Sequence, residues 1–420
     1  MKIKTKRKTA EEVMSLPPIT HKKPKKQRAF FRWLVNSISK KELEETHFSF
    51  DPKGFDDLGD VPCLVLMNHS CFLDLKMAFR MMSKRPFNIV CTSDGFVGKA
   101  GLMYSLGCIP TEKFVPDYSL VRDIKYALNE LGQSVLMYPE ASYSFDGTAT
   151  PLPESVGALI KLLGVPVVTV ITHGAFLHDP LYNGLRLRKA DVSAVTELTF
   201  TGDMITNMTA DEINGRLREI FTFNAFLEQK DKGVLITEEF RAEGLERVLY
   251  KCPVCGAEGC MKGKGTHIIC ENCGADRILT ENGEICATDC GKTFPSIPEW
   301  YAWERSEVRK QISDGTYSLD IEVDIGVMTD MKAIYETGRG RLTHDKNGFT
   351  LKSSDGVIDH RQSPVFSYSV YSDYFWYEIS DMVCIGDKNK LFYCFPTDKT
   401  VPVAKIRLAA EELYKINRKK

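Results

Sequence analysis

Short apolar runs alternate with amphipathic segments between about residues 48 and 223. The apolar runs have the length and the branched side chains that are typical of buried parallel strands, and they occupy residues 63–67, 87–91, 134–138 and 166–171. Segments 74–82, 121–131 and 155–163 instead space their apolar residues at helical intervals. This alternation predicts an α/β domain over residues 45–245, in which helices flank a mostly parallel sheet.

The carboxyl-terminal part, residues 296–420, has a different pattern. A helix is predicted to begin near Pro298, and from about Ser318 the sequence is rich in residues that favour β-strands. Turn residues predict hairpins at 345–348 and 386–389, and a third hairpin over 365–379. An amphipathic segment at 402–417 predicts a closing helix. We therefore expect an antiparallel β module capped by a helix, which is similar to the pleckstrin-homology type in architecture but not in motif.

The first 44 residues form a third kind of sequence. Residues 1–28 hold ten Lys and Arg against two Glu, about +8, together with three prolines, so this arm is expected to be unstructured. Residues 29–41 place Phe30, Phe31 and Trp33 among basic residues, which predicts a short helix. Two interpretations of its aromatic face are open: it enters an anionic membrane surface, or it packs on the domain that follows.

Composition excludes several classes of protein. The 420 residues carry 55 Lys+Arg against 56 Asp+Glu, which disfavours a globally basic nucleic-acid binder, and 43% are hydrophobic, which excludes global disorder. No apolar run reaches the length of about 18 residues that a membrane span needs. The amino terminus lacks the apolar segment of a signal peptide, so the thirteen cysteines are expected to be reduced. We expect a cytoplasmic protein that is peripheral on the inner face of the membrane.

Residues 246–295 contain seven of those cysteines and predict a separate metal-binding module. Two Cys-x-x-Cys pairs, each followed by glycine, form a zinc-ribbon-like pattern with Cys252, Cys255, Cys270 and Cys273 as ligands of a structural Zn²⁺. Four thiolates leave no open position for catalysis, so the module is either a staple for a small fold or a ribbon that binds protein or nucleic acid. Four further residues are substitutes or a second site: Cys260, His267, Cys286 and Cys290.

His69 and Asp74 are the candidate catalytic pair. His69 follows the strand at 63–67 directly, and Asp74 lies where the next helix begins. Residues five apart do not share one face of a helix, so the two side chains meet only if His69 lies in the loop. A carboxylate on one imidazole nitrogen fixes the tautomer and leaves the other nitrogen free as a general base. The spacing alone is common by chance, but its place between strand and helix favours a site.

Three further blocks follow in order: Leu106-Gly107-Cys108-Ile109-Pro110-Thr111-Glu112-Lys113, Tyr138-Pro139-Glu140-Ala141-Ser142, and Gly164-Val165-Pro166-Val167-Val168-Thr169-Val170. With Asn68-His69 and Asp74, these blocks resemble the glycerolipid acyltransferase family of the lysophosphatidate (1-acylglycerol-3-phosphate) acyltransferase type. That family shows Asn-His-x₄-Asp, Gly-x₅-Arg, Phe-Pro-Glu-Gly-x-x-Ser and Val-Pro-Val-x-Pro-Val in the same order. The resemblance covers roughly residues 45–225.

The resemblance implies acyl transfer from acyl-CoA or acyl carrier protein to a lysophospholipid hydroxyl, most simply 1-acylglycerol-3-phosphate, to give phosphatidate in phospholipid biosynthesis. It implies that His69 removes the hydroxyl proton and that Asp74 orients it. The block that begins at Gly107 brings Lys113 to the acceptor phosphate, while Glu140, with Ser142 nearby, holds the glycerol phosphate. The residues alone allow a simpler interpretation. In it, Lys113 is a solvated charge in a loop, and Glu140 and Ser142 cap the amino terminus of a helix.

The chain departs from the family pattern at four positions. Lys113 replaces Arg and lacks its bidentate fork, Tyr138 replaces Phe, Ala141 replaces a glycine that can adopt positive φ, and Thr169 replaces Pro. These departures leave two other functions open. One is a non-catalytic lipid-binding or scaffold protein on the same fold, and the less favoured one is a zinc-ribbon nucleic-acid binder whose affinity falls steeply with salt.

Overall fold

The computed structural model describes residues 2–418, which form three β-sheets with surrounding helices. The amino-terminal segment contributes β1 (Thr5–Arg7), α1 (Ala10–Met14) and α2 (Ala29–Glu45). The prediction that residues 1–28 are unstructured is therefore wrong over β1 and α1. A capping box starts α1, since the Thr9 hydroxyl accepts the Glu12 backbone N–H and the Glu12 carboxylate accepts that of Thr9.

The next segment builds the predicted α/β layer. Its strands and helices, in chain order, are β2 (Ser49–Asp51), α3 (Lys53–Leu58), β3 (Leu64–Met67), α4 (Leu73–Met81), β4 (Phe87–Thr92), α5 (Ala100–Ser105), β5 (Cys108–Thr111), α6 (Tyr118–Asn129), β6 (Ser134–Met137), α7 (Ser155–Leu163), β7 (Val167–His173), α8 (Ala175–His178), β8 (Ser193–Phe200), α9 (Gly202–Asn207), α10 (Ala210–Ile220) and α11 (Ala225–Lys232). The strand order is β2-β8-β7-β3-β6-β4-β5, and all neighbours are parallel except β7 and β8. The predicted α/β fold class is confirmed.

The central strand β3 explains why this sheet forms from a continuous apolar run. All four of its residues are buried, with Leu64 and Leu66 in the core on one face and Val65 and Met67 in the core on the other. A parallel strand that is covered by helices on both faces has no polar side, which is why its sequence does not alternate. Because the strands are parallel, their carboxyl ends meet at one edge, and the loops that follow β3, β5 and β6 converge there.

The cysteine-rich segment forms a small antiparallel sheet of four strands in the order β12-β11-β10-β9. These strands are β9 (Met261–Lys264), β10 (His267–Cys270), β11 (Asp276–Leu279) and β12 (Ile285–Ala287). The sheet is too small to enclose a core of its own, and its buried residues join those of the neighbouring segments.

The carboxyl-terminal part is an antiparallel sheet between two helices, as predicted. It consists of α12 (Ile297–Ser313), β13 (Leu319–Met328), β14 (Ile334–Asp345), β15 (Gly348–Ser353), β16 (Asp359–Gln362), β17 (Tyr371–Trp376), β18 (Ser380–Gly386), β19 (Leu391–Pro396) and α13 (Val403–Arg418). The strand order is β16-β15-β14-β13-β19-β18-β17. The hairpins at 345–348 and 386–389 join β14 to β15 and β18 to β19. The likeness to the pleckstrin-homology type stays a prediction.

The predicted third hairpin over residues 365–379 is wrong. That segment supplies the single strand β17, which pairs with β18 beyond it. The chain reverses at Tyr377 and Glu378, which have φ of 46° and 64°. Neither residue is a usual turn former, so local sequence gave no reason to place the turn there.

These parts share one apolar core. Val13 of α1, Phe145 of the α/β layer, Ile268 of the cysteine-rich sheet, Trp300 of α12 and Leu413 of α13 belong to the same buried cluster. In addition, β1 lies parallel to β14, so the amino-terminal segment is bound to the carboxyl-terminal sheet. The predicted boundaries at 44/45, 245/246 and 295/296 remain predictions, but the segments on either side of them pack as one body.

Across residues 2–418, no helix combines the length and the apolar character that crossing a lipid bilayer requires.

Candidate active site

His69 and Asp74 meet at the carboxyl end of β3. The strand ends two residues before His69, and α4 begins one residue before Asp74. The imidazole Nδ1 lies 3.0 Å from Asp74 Oδ2, and the same oxygen accepts the backbone N–H of Ser70 at 2.6 Å and of Cys71 at 3.0 Å. Because a carboxylate only accepts hydrogen bonds, Nδ1 carries the proton and Nε2 keeps its lone pair.

Two tyrosine rings enclose this imidazole. The Tyr138 ring stacks on it with centroids 3.8 Å apart and planes 17° apart, and the Tyr143 ring lies at 4.1 Å and 37°. Burial is the main cause that lowers the pKa of His69, and it outweighs the opposing hydrogen bond to Asp74. The imidazole therefore stays neutral at neutral pH, which is the form that a general base needs.

Lys113 lies two residues after β5, where its ammonium faces two tyrosine rings. Its Nζ is 4.4 Å from the ring centroid of Tyr371 and 5.7 Å from that of Tyr143. It forms no hydrogen bond or ion pair with any of residues 2–418. Burial lowers the pKa of Lys113, opposed mainly by the carboxyl group of Asp373 in β17. The side chain is half-buried, so it is not a freely solvated loop charge.

Glu140 and Ser142 follow β6 and are both buried. Glu140 accepts the backbone N–H of Thr150 at 3.3 Å and also its hydroxyl. Burial raises the pKa of Glu140 to about 8, against the hydrogen bonds from Thr150 and from the backbone of His69. A carboxyl group with this pKa is mostly protonated at neutral pH and can donate a hydrogen bond. The Ser142 hydroxyl donates to the next carbonyl at 3.2 Å, and because α7 begins well downstream, the two residues are not a helix N-cap pair.

The structure does not bring Gly107 to this group. Gly107 precedes β5, whereas the site lies beyond the carboxyl end of that strand. Its φ is 84°, and an added Cβ would lie 3.0 Å from the Phe87 carbonyl oxygen and 3.1 Å from Cβ of Gln27. A turn with close backbone contact at the opposite edge of the sheet explains this glycine without a substrate.

Ala141 has a strained backbone. Its φ is 56°, in the left-handed region where a side chain costs about 1–2 kcal/mol. The residue lies between Glu140 and Ser142, so the strain directs the loop that carries them. The glycine of the family pattern therefore corresponds to a real conformational demand at this position.

We expect the substitution Ala141→Gly to raise the free energy of unfolding by about 0.5–1 kcal/mol. It removes the strain, but the more flexible glycine also loses more entropy on folding, so only part of the gain remains. Urea denaturation of the full chain measures the change. The control is Ala302→Gly on the exposed face of α12, which should lower the same free energy by about 1 kcal/mol. A loss of stability in Ala141→Gly would show that the loop is not strained.

Residues of the carboxyl-terminal sheet cover this site. The Tyr371 hydroxyl donates to Asp94 Oδ2 at 2.9 Å, and Trp376 Nε1 donates to the same oxygen at 3.3 Å. The ring of Tyr374 lies 4.3 Å from that of Phe145, in the loop after β6. The sequence carries one signal for this contact, a high density of aromatic residues over 366–377. That density does not indicate which surface the aromatic side chains contact.

Four cysteines cluster as predicted in the small sheet. The sulfur atoms of Cys252, Cys255, Cys270 and Cys273 all lie within 4.8 Å of one another, and two of the sulfur pairs are 3.7 Å apart. Tetrahedral Zn²⁺ with Zn–S bonds of about 2.3 Å separates its sulfur ligands by roughly 3.8 Å, so the set fits this ion. The predicted second site does not form among residues 2–418. His267 Nδ1 is bonded to Asp276 at 2.9 Å, and Cys286 and Cys290 are exposed.

Comparison with known proteins gives a distant likeness to an acyltransferase. No family model matches the chain. A chloroplastic 1-acyl-sn-glycerol-3-phosphate acyltransferase from Brassica napus is 25% identical over 182 residues, which are 41% of this chain and 51% of that protein. The chain is distantly similar to lysophosphatidate acyltransferases. It spans about half the length of this curated relative.

One solved structure also matches in part. The 1-acyl-sn-glycerophosphate acyltransferase PlsC from Thermotoga maritima aligns with 45% of this chain and 76% of that chain, at a TM-score of 0.36 and 14% identity. A TM-score at this level supports no conclusion about the site. The roles of individual residues therefore rest on the geometry described above.

Proposed function

We propose that the protein transfers a fatty acyl group from an acyl thioester to the hydroxyl of a lysophospholipid, with 1-acylglycerol-3-phosphate as acceptor and phosphatidate as product. The observation that carries this proposal is the His69–Asp74 hydrogen bond, which fixes Nδ1 as donor and leaves Nε2 free. The distant similarity to lysophosphatidate acyltransferases supports the same reaction class.

The proposed chemistry needs one base and no covalent enzyme intermediate. Nε2 of His69 takes the proton from the acceptor hydroxyl, and the resulting oxygen attacks the thioester carbonyl carbon. The new C–O bond forms as the C–S bond breaks, and the leaving thiolate takes the proton from the imidazolium. Asp74 orients the ring and stabilises its positive charge. Lys113 and the protonated Glu140 bind the acceptor headgroup in this proposal, and acyl-CoA or acyl carrier protein supplies the thioester.

A panel of lysolipids that differ only in headgroup tests this assignment. Each is incubated with the full chain and with radiolabelled acyl-CoA or acyl carrier protein, and the products are resolved by headgroup. We expect labelled phosphatidate to form fastest. If no lysolipid is labelled from either donor, the acyl-transfer proposal is wrong, and a non-catalytic lipid-binding role on the same fold is favoured.

We also propose that α2 attaches the protein to an anionic membrane surface. The side chains of Phe30 and Trp33 are 60% and 63% exposed, and their ring centroids are 6.0 Å apart. Basic residues precede and follow them in the sequence, including Arg28 and Lys40. Exposed aromatic rings with basic flanks are typical of helices that lie in the membrane interface.

The double substitution Phe30→Ser/Trp33→Ser is expected to weaken binding to vesicles that contain anionic lipid by about tenfold or more. Keeping two rings out of the membrane interface forfeits at least about 1.5 kcal/mol of apolar burial. Vesicle co-sedimentation measures the partition coefficient. The control is Tyr118→Ser, an aromatic residue outside α2 that is 90% exposed. Equal weakening by both changes would contradict a specific role for α2.

A further inference from the structure

A small polar cavity lies between the loop after β6 and the two helices of the carboxyl-terminal part. Its volume is about 30 Å³, and its walls include Asp146, Thr148 and Thr150 on one side and Tyr301, Arg305 and Arg407 on the other. The cavity therefore joins two parts of the chain that lie far apart in sequence. A volume of this size has room for about two water molecules.

Arg407 of α13 is the unusual residue in this wall. It is only 4% exposed, its Nε donates to Glu411 at 3.1 Å, and its guanidinium carbon lies 4.3 Å from the ring centroid of Phe145. Its Nη1 is buried and has no hydrogen-bond partner among residues 2–418. A buried cationic donor without an acceptor is costly, so the position calls for an anionic ligand.

The charges around this donor do not balance. The helices α12 and α13 form an ion-pair network in which two carboxylates face four cationic groups: Glu411 and Glu412 against Arg305, Arg309, Arg407 and Lys415. Arg309 and Lys415 are about half exposed to solvent and do not line the cavity, so solvent screens their charges. The cavity wall itself carries the guanidinium groups of Arg305 and Arg407 against one acid, Asp146, and burial raises the pKa of that carboxyl group.

Neighbouring hydroxyl groups are unsatisfied as well. The buried hydroxyls of Tyr368 and Tyr374 have no partner within the described part of the chain. The ring of Phe145 lies beside two of these groups, with the Tyr374 ring centroid 4.3 Å away and the Arg407 guanidinium carbon also at 4.3 Å. The Arg407 Nη1 and the Tyr374 hydroxyl, two polar donors that lack partners beside one ring, indicate a site for a ligand with acceptor oxygens.

The cavity connects to the candidate active site through Thr150. The Thr150 hydroxyl donates to Glu140, which lies next to the backbone of His69, and Thr150 also lines the cavity. On the other side, Lys113 forms no ion pair within residues 2–418, and its ammonium faces the rings of Tyr371 and Tyr143. A phosphate group near Arg407 therefore lies beside the residues proposed to bind the acceptor.

We propose that Arg407, together with Arg305, forms an anion subsite at which the carboxyl-terminal part binds the phosphate of the acceptor lysolipid. This inference rests on the proposed acyl-transfer function and assigns part of its acceptor specificity to α12 and α13. A guanidinium presents planar paired donors that match phosphate oxygens, which compensates for the single ammonium of Lys113. The ligand chemistry is a phosphate monoester, which both the lysolipid and the 3′-phosphate of CoA carry.

Binding of glycerol 3-phosphate to the full chain tests this subsite without turnover. Isothermal titration calorimetry compares wild type with Arg407→Met, in which Glu411 keeps its bonds to Arg305 and Ser369. We expect the variant to bind glycerol 3-phosphate about 10- to 100-fold more weakly. The control Arg309→Met, on an exposed side chain of the same network, should bind like wild type. If Arg407→Met does not fold, Arg407→Lys, which keeps the charge but loses the fork, should bind several-fold more weakly.

Steady-state kinetics separate the two possible phosphate sources. In Arg407→Met, the KM for lysophosphatidate should rise by the same factor, while the KM for acyl-CoA and the rate with a phosphate-free monoacylglycerol stay unchanged. Three results would each overturn the subsite. The first is a rise in KM that is confined to acyl-CoA, and the second is wild-type affinity of Arg407→Met for glycerol 3-phosphate. The third is that the wild-type protein does not bind glycerol 3-phosphate. Because the calorimetry needs no catalysis, its result stands whether or not the protein transfers acyl groups.

Discussion

The substitution His69→Ala should lower kcat for acyl transfer to lysophosphatidate by about 10²- to 10⁴-fold. That range is the usual contribution of a positioned general base, and Nε2 of His69 is the lone pair that the hydrogen bond to Asp74 leaves free. The two tyrosine rings that enclose the imidazole offer no replacement, because burial raises the pKa of both phenols well above their ordinary value. Initial rates of labelled phosphatidate formation measure the loss.

The matched control is His267→Ala. His267 also pairs with an aspartate, since its Nδ1 lies 2.9 Å from Asp276, but it belongs to the cysteine-rich sheet. Its removal should leave kcat within about twofold of wild type. Thermal unfolding of both variants shows whether either loss reflects stability. A His69→Ala protein that is folded and fully active would contradict the assignment of the base.

The pH profile gives a second measure of the same residue. Protonated imidazole cannot accept a proton, so the rate falls as the pH drops through the pKa of His69. Because burial holds that pKa below its ordinary value of 6.5, the acid limb of kcat/KM should lie below pH 6.5. An acid limb at or above pH 6.5 would show that another group, or a differently placed imidazole, controls the reaction.

Loss of the predicted metal ligands should have the largest effect on stability. The double substitution Cys252→Ser/Cys255→Ser removes two of the four clustered thiols, and structural zinc sites contribute about 10–16 kcal/mol to the folding of small modules. The Cys252 and Cys270 side chains belong to the core that also contains Trp300 of α12, so the damage should spread to the carboxyl-terminal part. We expect a lower Tm and less than one tenth of the zinc bound by wild type.

The control for the predicted metal site uses two exposed cysteines of the same module, Cys286 and Cys290. Cys286→Ser/Cys290→Ser should keep one zinc per chain and the wild-type Tm, because neither residue belongs to the cluster. Elemental analysis by mass spectrometry and a thermal melt measure both quantities. A Cys252→Ser/Cys255→Ser protein that retains its zinc would contradict the proposed ligand set.

The sequence predicted the α/β layer well because its information is local. A strand such as β3, buried on both faces, reads as an unbroken apolar run, and the helices between strands keep their own spacing. The amino-terminal arm was mispredicted for the opposite reason. β1 is short and polar, and its partner β14 lies more than 300 residues away, so nothing near Thr5 indicates a strand.

In the candidate site, too, the sequence predicted the local contacts and missed those between distant segments. The contact between His69 and Asp74 followed from a loop between strand and helix, and the demand for positive φ at Ala141 was visible in the family pattern. Gly107 could have been set aside, since it precedes a strand, whereas site residues in parallel sheets follow one. The contact of Tyr371 with Lys113 depends on how β17 packs across the sheet edge, which no local pattern encodes.

The most direct test of the central claim is a mass-spectrometric assay of purified wild-type protein with lysophosphatidate and a labelled acyl thioester. The proposed function predicts phosphatidate that carries the labelled chain, formed together with an equal amount of free thiol, and almost no product from Asp74→Asn. Asp74 is the fixed partner of the base, and its neutral amide form cannot stabilise the positive charge that the imidazole gains in the reaction. No labelled phosphatidate from wild type, or the same rate from Asp74→Asn, would contradict the claim.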